Sequence, residues 1–335
     1  MRIGFVYDLR DHYRALGFSE EAVAEFDTPE TIDEIAAALA RAGGDVQRIG
    51  NGRTLAGRLV AGERFDLVFS IAEGLAGRNR EAQVPALCEL FDQPYVFSDP
   101  LTLSVALDKA IAKRLVREAG IPTSPFALLD RAEAARDVVL YYPLFVKPNA
   151  EGTGKGCEAA SKVFDAEALE AAARRLIARF DQPVIVEPYL PGREFTVGII
   201  GTGDAARVIG VAEILLHRDA DSGVYSLTNK EECESRVTYE LAADEVAEEA
   251  GVRALEAYRT LGCRDGGRID LRCDAEGSPL FMEANPLAGL HSSHSDLPII
   301  AGLAGYGYDR LMRDILSSAR SRYSVAGTPR RIASA

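Results

Sequence analysis

Asp270, Glu283 and Asn285 stand at a spacing that one β-hairpin brings together. They lie in Gly267–Pro286, GRIDLRCDAEGSPLFMEANP. A turn at Glu276-Gly277 pairs Ala275 with Ser278 and sets the register outward from there. Cys273, Leu271 and Ile269 then face Leu280, Met282 and Ala284 on an apolar surface. On the other surface Asp270 lies opposite Glu283, and Arg268 opposite Asn285. Two opposed carboxylates repel each other unless something positive sits between them. Carboxylate and amide oxygens gathered this way suit a hard cation such as Mg²⁺, which also takes substrate phosphates as ligands. The alternative is an exposed hairpin whose acids are neutralised by Arg268 or Arg272.

A second signal is Gly152-Thr153-Gly154-Lys155-Gly156, which follows a strand carrying Lys147. Glycines let backbone N–H groups approach phosphates without obstruction. This is not a Walker loop, because Lys155 is followed by Gly156 rather than Ser or Thr. No G-x-G-x-x-G follows the first strand, which argues against a nicotinamide oxidoreductase. His291 and His294 have a metal-ligand spacing but a loop location, and Cys88 and Cys157 lack a neighbouring His. No G-x-S-x-G elbow supports a serine hydrolase.

These residues need elements to place them. Arg2–Tyr7 reads as a buried parallel strand. Thr28 caps a helix with Pro29 at its first position and Ile32, Ile35, Ala36 and Leu39 on one face, ended by Gly43-Gly44. Further strands are expected at Asp45–Ile49, Asp66–Ala72 and Pro94–Ser98, with a helix over Glu81–Phe91. This alternation predicts a doubly wound parallel sheet. One amphipathic helix is expected over Leu103–Ala119. Strands at Tyr142–Pro148, Ser161–Phe164 and Pro183–Tyr189 with a helix at Ala166–Phe180 predict a small α+β lobe. Strands at Glu194–Ile200, Arg207–Leu216 and Arg236–Leu241, a helix at Asp244–Leu261, the hairpin and a helix at Tyr308–Ala319 complete the chain. The tail from Arg320 is expected to fray. The units are 1–107, 108–190 and 191–335.

The 335 residues carry 51 acidic and 38 basic side chains, a formal net charge of −13. That acidity argues against nucleic-acid or anionic-membrane partners. Only six of the basic residues are Lys, at 109, 113, 147, 155, 162 and 230. Lys113 reads as a helix-surface charge and Lys162 as a strand-edge charge; Lys155 lies in the glycine loop and Lys147 on the strand before it. Five cysteines without a C-x-x-C pair, and no signal-peptide core or spanning apolar run, predict a reduced cytoplasmic protein.

In order, Leu107-Asp108-Lys109, Phe145-Val146-Lys147-Pro148, Glu151-Gly152-Thr153-Gly154, Val186-Glu187-Pro188-Tyr189-Leu190, Gly192-Arg193-Glu194 and the hairpin's Arg268, Asp270, Glu283 and Asn285 resemble the ATP-grasp superfamily. The closest likeness is to the D-alanine–D-alanine ligase family. The resemblance implies an N-terminal Rossmann-like substrate domain followed by a two-lobed clamp on ATP. It also implies ADP-forming ligation of a carboxylate to an amine through an acyl phosphate. By position, Lys109 and Lys147 would contact the nucleotide, Glu187 and the Leu190 backbone the adenine, and Glu194 the ribose. Gly152, Thr153 and Gly154 would close over the phosphates, with Lys230 reaching the β/γ-phosphates. Asp270, Glu283 and Asn285 would hold two Mg²⁺ ions, Mn²⁺ being the alternative. Arg268 and the Gly289 N–H would stabilise the oxyanion. A homodimer acting on small molecules is implied.

The chain departs from the family pattern where substrates are read. Asp8–Asp27 does not reproduce the stretch whose glutamate holds the first amino acid's ammonium. Glu73 stands at a histidine position, and Arg78 and Arg80 flank Asn79 where the family has acids. Glu231 replaces a tyrosine, while Ser295 matches the serine that meets an acceptor carboxylate. Arg78 and Arg80 hint at an anionic substrate and Glu73 at a cationic one, unless these are ordinary surface charges. The expected function is a ligase whose substrates are not two D-alanines. The alternatives are a true D-alanine–D-alanine ligase or a non-catalytic ATP-binding module.

Overall fold

The computed structural model describes residues 1–216 and 237–325. Lys230 and Glu231 lie outside them.

β1 (Arg2–Val6) is the middle strand of a parallel sheet of three, flanked by β2 (Asp45–Gly50) and β3 (Leu67–Ser70). The expected fourth strand is reduced to a single bridge between Val68 and Tyr95. α1 (Arg10–Ala15), α2 (Pro29–Arg41) and α3 (Gly52–Val60) connect these strands. α2 starts as its sequence requires, with the Thr28 side chain accepting from Thr31 N–H and Ile32, Ile35 and Leu39 buried. A 3₁₀ turn at Arg80–Ala82 leads into α4 (Gln83–Leu90).

The helix expected over Leu103–Ala119 is two: α5 (Pro100–Leu107) and α6 (Lys109–Glu118). Asp108 between them is extended (φ −84°, ψ 95°), and its carboxylate accepts from Ile111 N–H. The chain breaks there and restarts with a new N-cap, which puts Lys109 on the first turn of α6.

β4 (Ala127–Leu129), β5 (Leu144–Pro148), β6 (Lys162–Val163) and β7 (Val184–Pro188) form an antiparallel sheet in the order β4-β7-β5-β6, covered by α7 (Ala166–Phe180). β8 (Glu194–Ile200), β9 (Arg207–Leu216) and β10 (Val237–Leu241), with β11 (Gly266–Cys273) and β12 (Pro279–Asn285), form a second one, ordered β10-β9-β8-β11-β12. α8 (Glu245–Thr260) packs on it through Ala247, Ala250, Ala254 and Ala257. The small side chains let the helix backbone approach the strands closely.

α9 (Asp296–Leu303) and α10 (Tyr308–Val325) pack into one core with the parallel sheet, where Ile3, Phe5 and Phe69 meet Leu311, Met312 and Ile315. α10 therefore runs past Ala319, against the expected fraying from Arg320. No helix among the described residues is long and apolar enough to cross a membrane.

Candidate active site

The β11–β12 hairpin has the expected register at its base: Arg268 opposite Asn285, Ile269 opposite Ala284 and Asp270 opposite Glu283. Beyond Asp270 the register shifts, so Leu271 faces Phe281 and Cys273 faces Pro279. Met282 is the extra residue of this β-bulge. It leaves the apolar face assigned to it and lines a cavity with Glu283 instead.

Three lysines converge on the two carboxylates that meet at this cavity. Lys109 Nζ lies 3.4 Å from Glu283 Oε2, and Lys147 Nζ, from β5, lies 3.8 Å from it. Lys147 is also 3.8 Å from Glu187 Oε2. Lys113 is fully buried rather than on the helix surface, with Nζ 2.5 Å from Glu187 Oε1 and donating to Thr123 Oγ1 and the Phe281 carbonyl. Burial pushes the Lys113 ammonium below its usual range despite Glu187. Burial works the same way on Lys147, but Glu187 and Glu283 outweigh it and hold its ammonium more firmly protonated. The cation nearest Glu187 thus serves to orient it, and Lys147 keeps its charge for the cavity.

Four more of the expected nucleotide contacts line the same cavity of about 90 Å³: Gly154, Glu187, Leu190 and Glu194. Glu194 accepts from Arg272, whose other nitrogen donates to the Tyr189 hydroxyl. Lys162 stacks its ammonium 3.6 Å from the Tyr189 ring centre. This is a cation–π contact and not a free strand-edge charge.

A second, larger cleft of about 810 Å³ adjoins the first. Lys109, Glu151 and Glu283 line both. Gly152 and Thr153 face this cleft while Gly154 faces the smaller cavity, so the glycine loop divides the two. Thr153 holds a left-handed conformation, φ 53°, followed by Gly154 at 72°. Arg268, Asn285, Gly289, Ser295 and Glu73 also line the cleft. Arg268 ion-pairs with Asp270 Oδ2 and lies 3.2 Å from Asp296, which accepts from the Tyr239 hydroxyl. Its guanidinium is buried against those acids, and their charges raise its pKa. At Gly289 a Cβ would meet Ser295 Oγ at 2.7 Å, so a side chain there would push Ser295 aside. Ser295 Oγ accepts from His291 N–H. The His291 and His294 rings lie 4.6 Å apart at the cleft.

Asp270 Oδ1 is buried without a hydrogen-bond partner, beside Glu283 and Asn285. Among the described residues no three His, Cys, Asp or Glu side chains gather as a metal site. Two carboxylates and an amide still fit an ion whose other ligands are phosphate oxygens and water, and an orphaned carboxylate oxygen is what such an ion would satisfy.

Glu25, unmarked in the sequence, reaches this wall. It accepts from Gly152 N–H at 2.9 Å and lies 3.1 Å from Arg80 and 3.2 Å from Lys155. Burial opposes its charge, but Arg80 and Lys155 outweigh that and hold the carboxyl below its usual range. It sits in an irregular stretch whose partners lie far along the chain, so no local pattern marks it. Arg78 lines neither cavity; its guanidinium meets Asp108 at 2.7 Å. Cys88 is buried with its thiol pushed up to about 12, unsuited to nucleophilic work.

Residues 115–317 match the family model "D-ala D-ala ligase C-terminus". A D-alanine–D-alanine ligase of Bordetella petrii is 36% identical over 288 residues, 84% of each chain. The fold superposes on the D-alanine–D-alanine ligase from Bacillus anthracis complexed with ATP (TM-score 0.73, 23% identity, 98% of this chain and 100% of that one). It also superposes on the VanG D-Ala:D-Ser ligase from Enterococcus faecalis (TM-score 0.70, 22% identity, 95% and 99%). The chain belongs to the D-alanine–D-alanine ligase family of ATP-grasp enzymes, the ADP-forming carboxylate–amine ligases.

Proposed function

We propose that this ligase activates the carboxylate of one small molecule with ATP and joins it to the amine of another, and that the pair is not two D-alanines. The observation that carries the reading is the wall common to both cavities. Lys109, Glu151 and Glu283 stand between a narrow chamber lined by the expected nucleotide contacts and a wide cleft with room for the reactants. Acyl-phosphate formation needs a γ-phosphate and a carboxylate to meet across such a boundary.

Each residue then has a task set by its place. Glu187 and the Leu190 backbone receive the adenine, and Glu194 the ribose hydroxyls. Lys109 and Lys147 offset phosphate charge, with Lys230 assigned to the β/γ-phosphates by resemblance. Gly152, Thr153 and Gly154 close over the phosphates, with the Gly152 N–H tied to Glu25, and keep water from the acyl phosphate. Asp270, Glu283 and Asn285 would hold two Mg²⁺ ions, which neutralise phosphate charge when bound. Arg268 and the Gly289 N–H stabilise the oxyanion formed as the amine adds. Phosphoryl transfer leaves the protein little covalent work, so positioning and charge carry the rate.

Divergence of the substrates rests on the cleft's own residues. Glu73 faces it from a position where the family has histidine, and Glu25 is engaged by Arg80 and Lys155 rather than open to an ammonium. The fold admits such change: the VanG neighbour is a D-Ala:D-Ser ligase.

Glu283→Gln should lower ADP release by about 100-fold or more while far-UV circular dichroism is retained. A variant that still turns over normally would remove Glu283 from the reaction centre. The likeness to the Bordetella petrii enzyme favours D-alanine as a second reading. ADP release fastest with D-alanine alone, across a panel of amino acids and small carboxylates, would decide for it.

A further inference from the structure

We propose that the larger cleft selects a basic amino acid, one carrying a side-chain ammonium, and that Glu73 and Glu81 receive that charge. This deepens the ligase reading and rests on it.

The sequence leaves two opposite choices at this wall, an anion read by Arg78 and Arg80 or a cation read by Glu73. Side-chain pairing separates them. Arg78 lies outside the cleft on Asp108, with most of its side chain in solvent. Arg80 is buried and fully engaged: Nη1 donates to the Ala150 carbonyl at 2.9 Å, while Nη2 lies 3.1 Å from Glu25 and 3.7 Å from Glu151. Lys155 closes the same group, 3.2 Å from Glu25 and 3.3 Å from Glu151. Two acids and two bases balance there, so no cation of this group is left for an anionic ligand.

Glu73 and Glu81 sit beside that balanced group without a share in it. Both are half-buried and face the cleft, and among the described residues neither makes a hydrogen bond or ion pair. The other lysine and arginine side chains of the cleft, among the described residues, are occupied. Lys109 donates to the Glu151 carbonyl and pairs with Glu283. Arg10 donates to the Ala24 and Phe26 carbonyls beside Asp27, Arg14 pairs with Glu20, and Arg268 pairs with Asp270 and Asp296. Two neighbouring carboxylates without a cation between them repel each other. A bound ammonium relieves that repulsion, and only for a ligand that carries one. The cleft's volume of about 810 Å³ admits a long side chain as well as the reacting groups.

Lysine and norleucine differ by the terminal ammonium at matched chain length, which makes them the probe. Both enantiomers of each are paired with the other panel members under Mg-ATP, following ADP release and the mass of the product. The expected result is a kcat/KM about tenfold or more higher for lysine than for norleucine. Glu73→Gln and Glu81→Gln should each shrink that ratio, and the double variant should bring it near one, mainly through KM for lysine. A thermal shift with Mg-ATP reports that each variant is folded. Norleucine equal to or better than lysine, or a ratio unmoved in the double variant, overturns the inference and leaves ligation standing. Absence of ADP release with every pair overturns ligation, and this inference with it.

Discussion

Glu81 and Asp27 make the charge of the larger cleft depend on pH. Burial pushes the Glu81 carboxyl up to about 7, opposed by Arg80 and Lys109 and reinforced by Glu25 and Glu151. Burial likewise pushes Asp27 up to about 7, opposed by Arg10 and reinforced by Asp8. Glu73 is raised well above its usual range by burial, with Glu81 and Glu25 adding to it against Arg80. An empty cleft near neutrality therefore still holds protons on these acids, and an incoming ammonium must displace them. The sign follows from the deprotonated acid being the binding form. KM for a basic amino acid should fall as pH rises from about 6 to about 8, with a proton released on binding. Norleucine should show no such fall. Initial rates in buffers of differing ionisation enthalpy, with calorimetry of binding, check both parts. A lysine KM that rises over this range would contradict the assignment of Glu81.

Asp108 shows how a single turn of chain aims Lys109 at the wall between the two cavities. It ends α5, caps α6 through Ile111 N–H at 3.1 Å and accepts from Arg78. Asn149 fixes the new helix from the other side, accepting from Lys109 N–H through its carbonyl and from Ala110 N–H through its side chain. Asp108→Ala should cost about 1 kcal/mol for the lost cap. It should also raise KM for ATP, because Lys109 is the first residue that the cap holds. Urea unfolding and ATP titration measure the two effects, and an unchanged KM would detach the cap from the site. The break was not legible in sequence because buried Leu103, Ala106, Leu107, Ala110, Lys113 and Val116 keep one helical period across it. For the same reason Lys113 passed for a surface charge. The buried partner that claims it, Glu187, lies on a strand far along the chain. The hairpin was more legible, since a Gly-containing turn sets pairing on both sides of it. Only the bulge after Asp270 escaped, as no local residue type announces it.

Asp265 ties the two ends of the chain to the antiparallel sheet. It is fully buried at the start of β11, and Oδ2 accepts from Phe97 N–H at 2.8 Å and from Arg322 of α10 at 2.6 Å. Oδ1 accepts from Ser318, Thr202 and the Arg322 Nε. Arg322 also reaches the Tyr95 carbonyl, next to the segment that replaces the expected fourth strand. The alternating elements of the first hundred residues could be read from periodicity. The anchoring of α10 beyond Ala319 could not, because an Arg-rich tail looks polar until its partner, 57 residues earlier, is folded against it. In a chain of net charge −13 an arginine also reads as general compensation. Here one guanidinium answers one buried carboxylate. Arg322→Met should therefore cost about 3–5 kcal/mol, since it leaves Asp265 charged and unpaired in the core. Asp265→Asn combined with Arg322→Met should recover part of the loss, because the charge that needed pairing is gone. Urea unfolding of the two single variants and the double variant gives the coupling. A loss below about 1 kcal/mol in Arg322→Met, within the range of a surface pair, would mean that α10 is held by its apolar face alone.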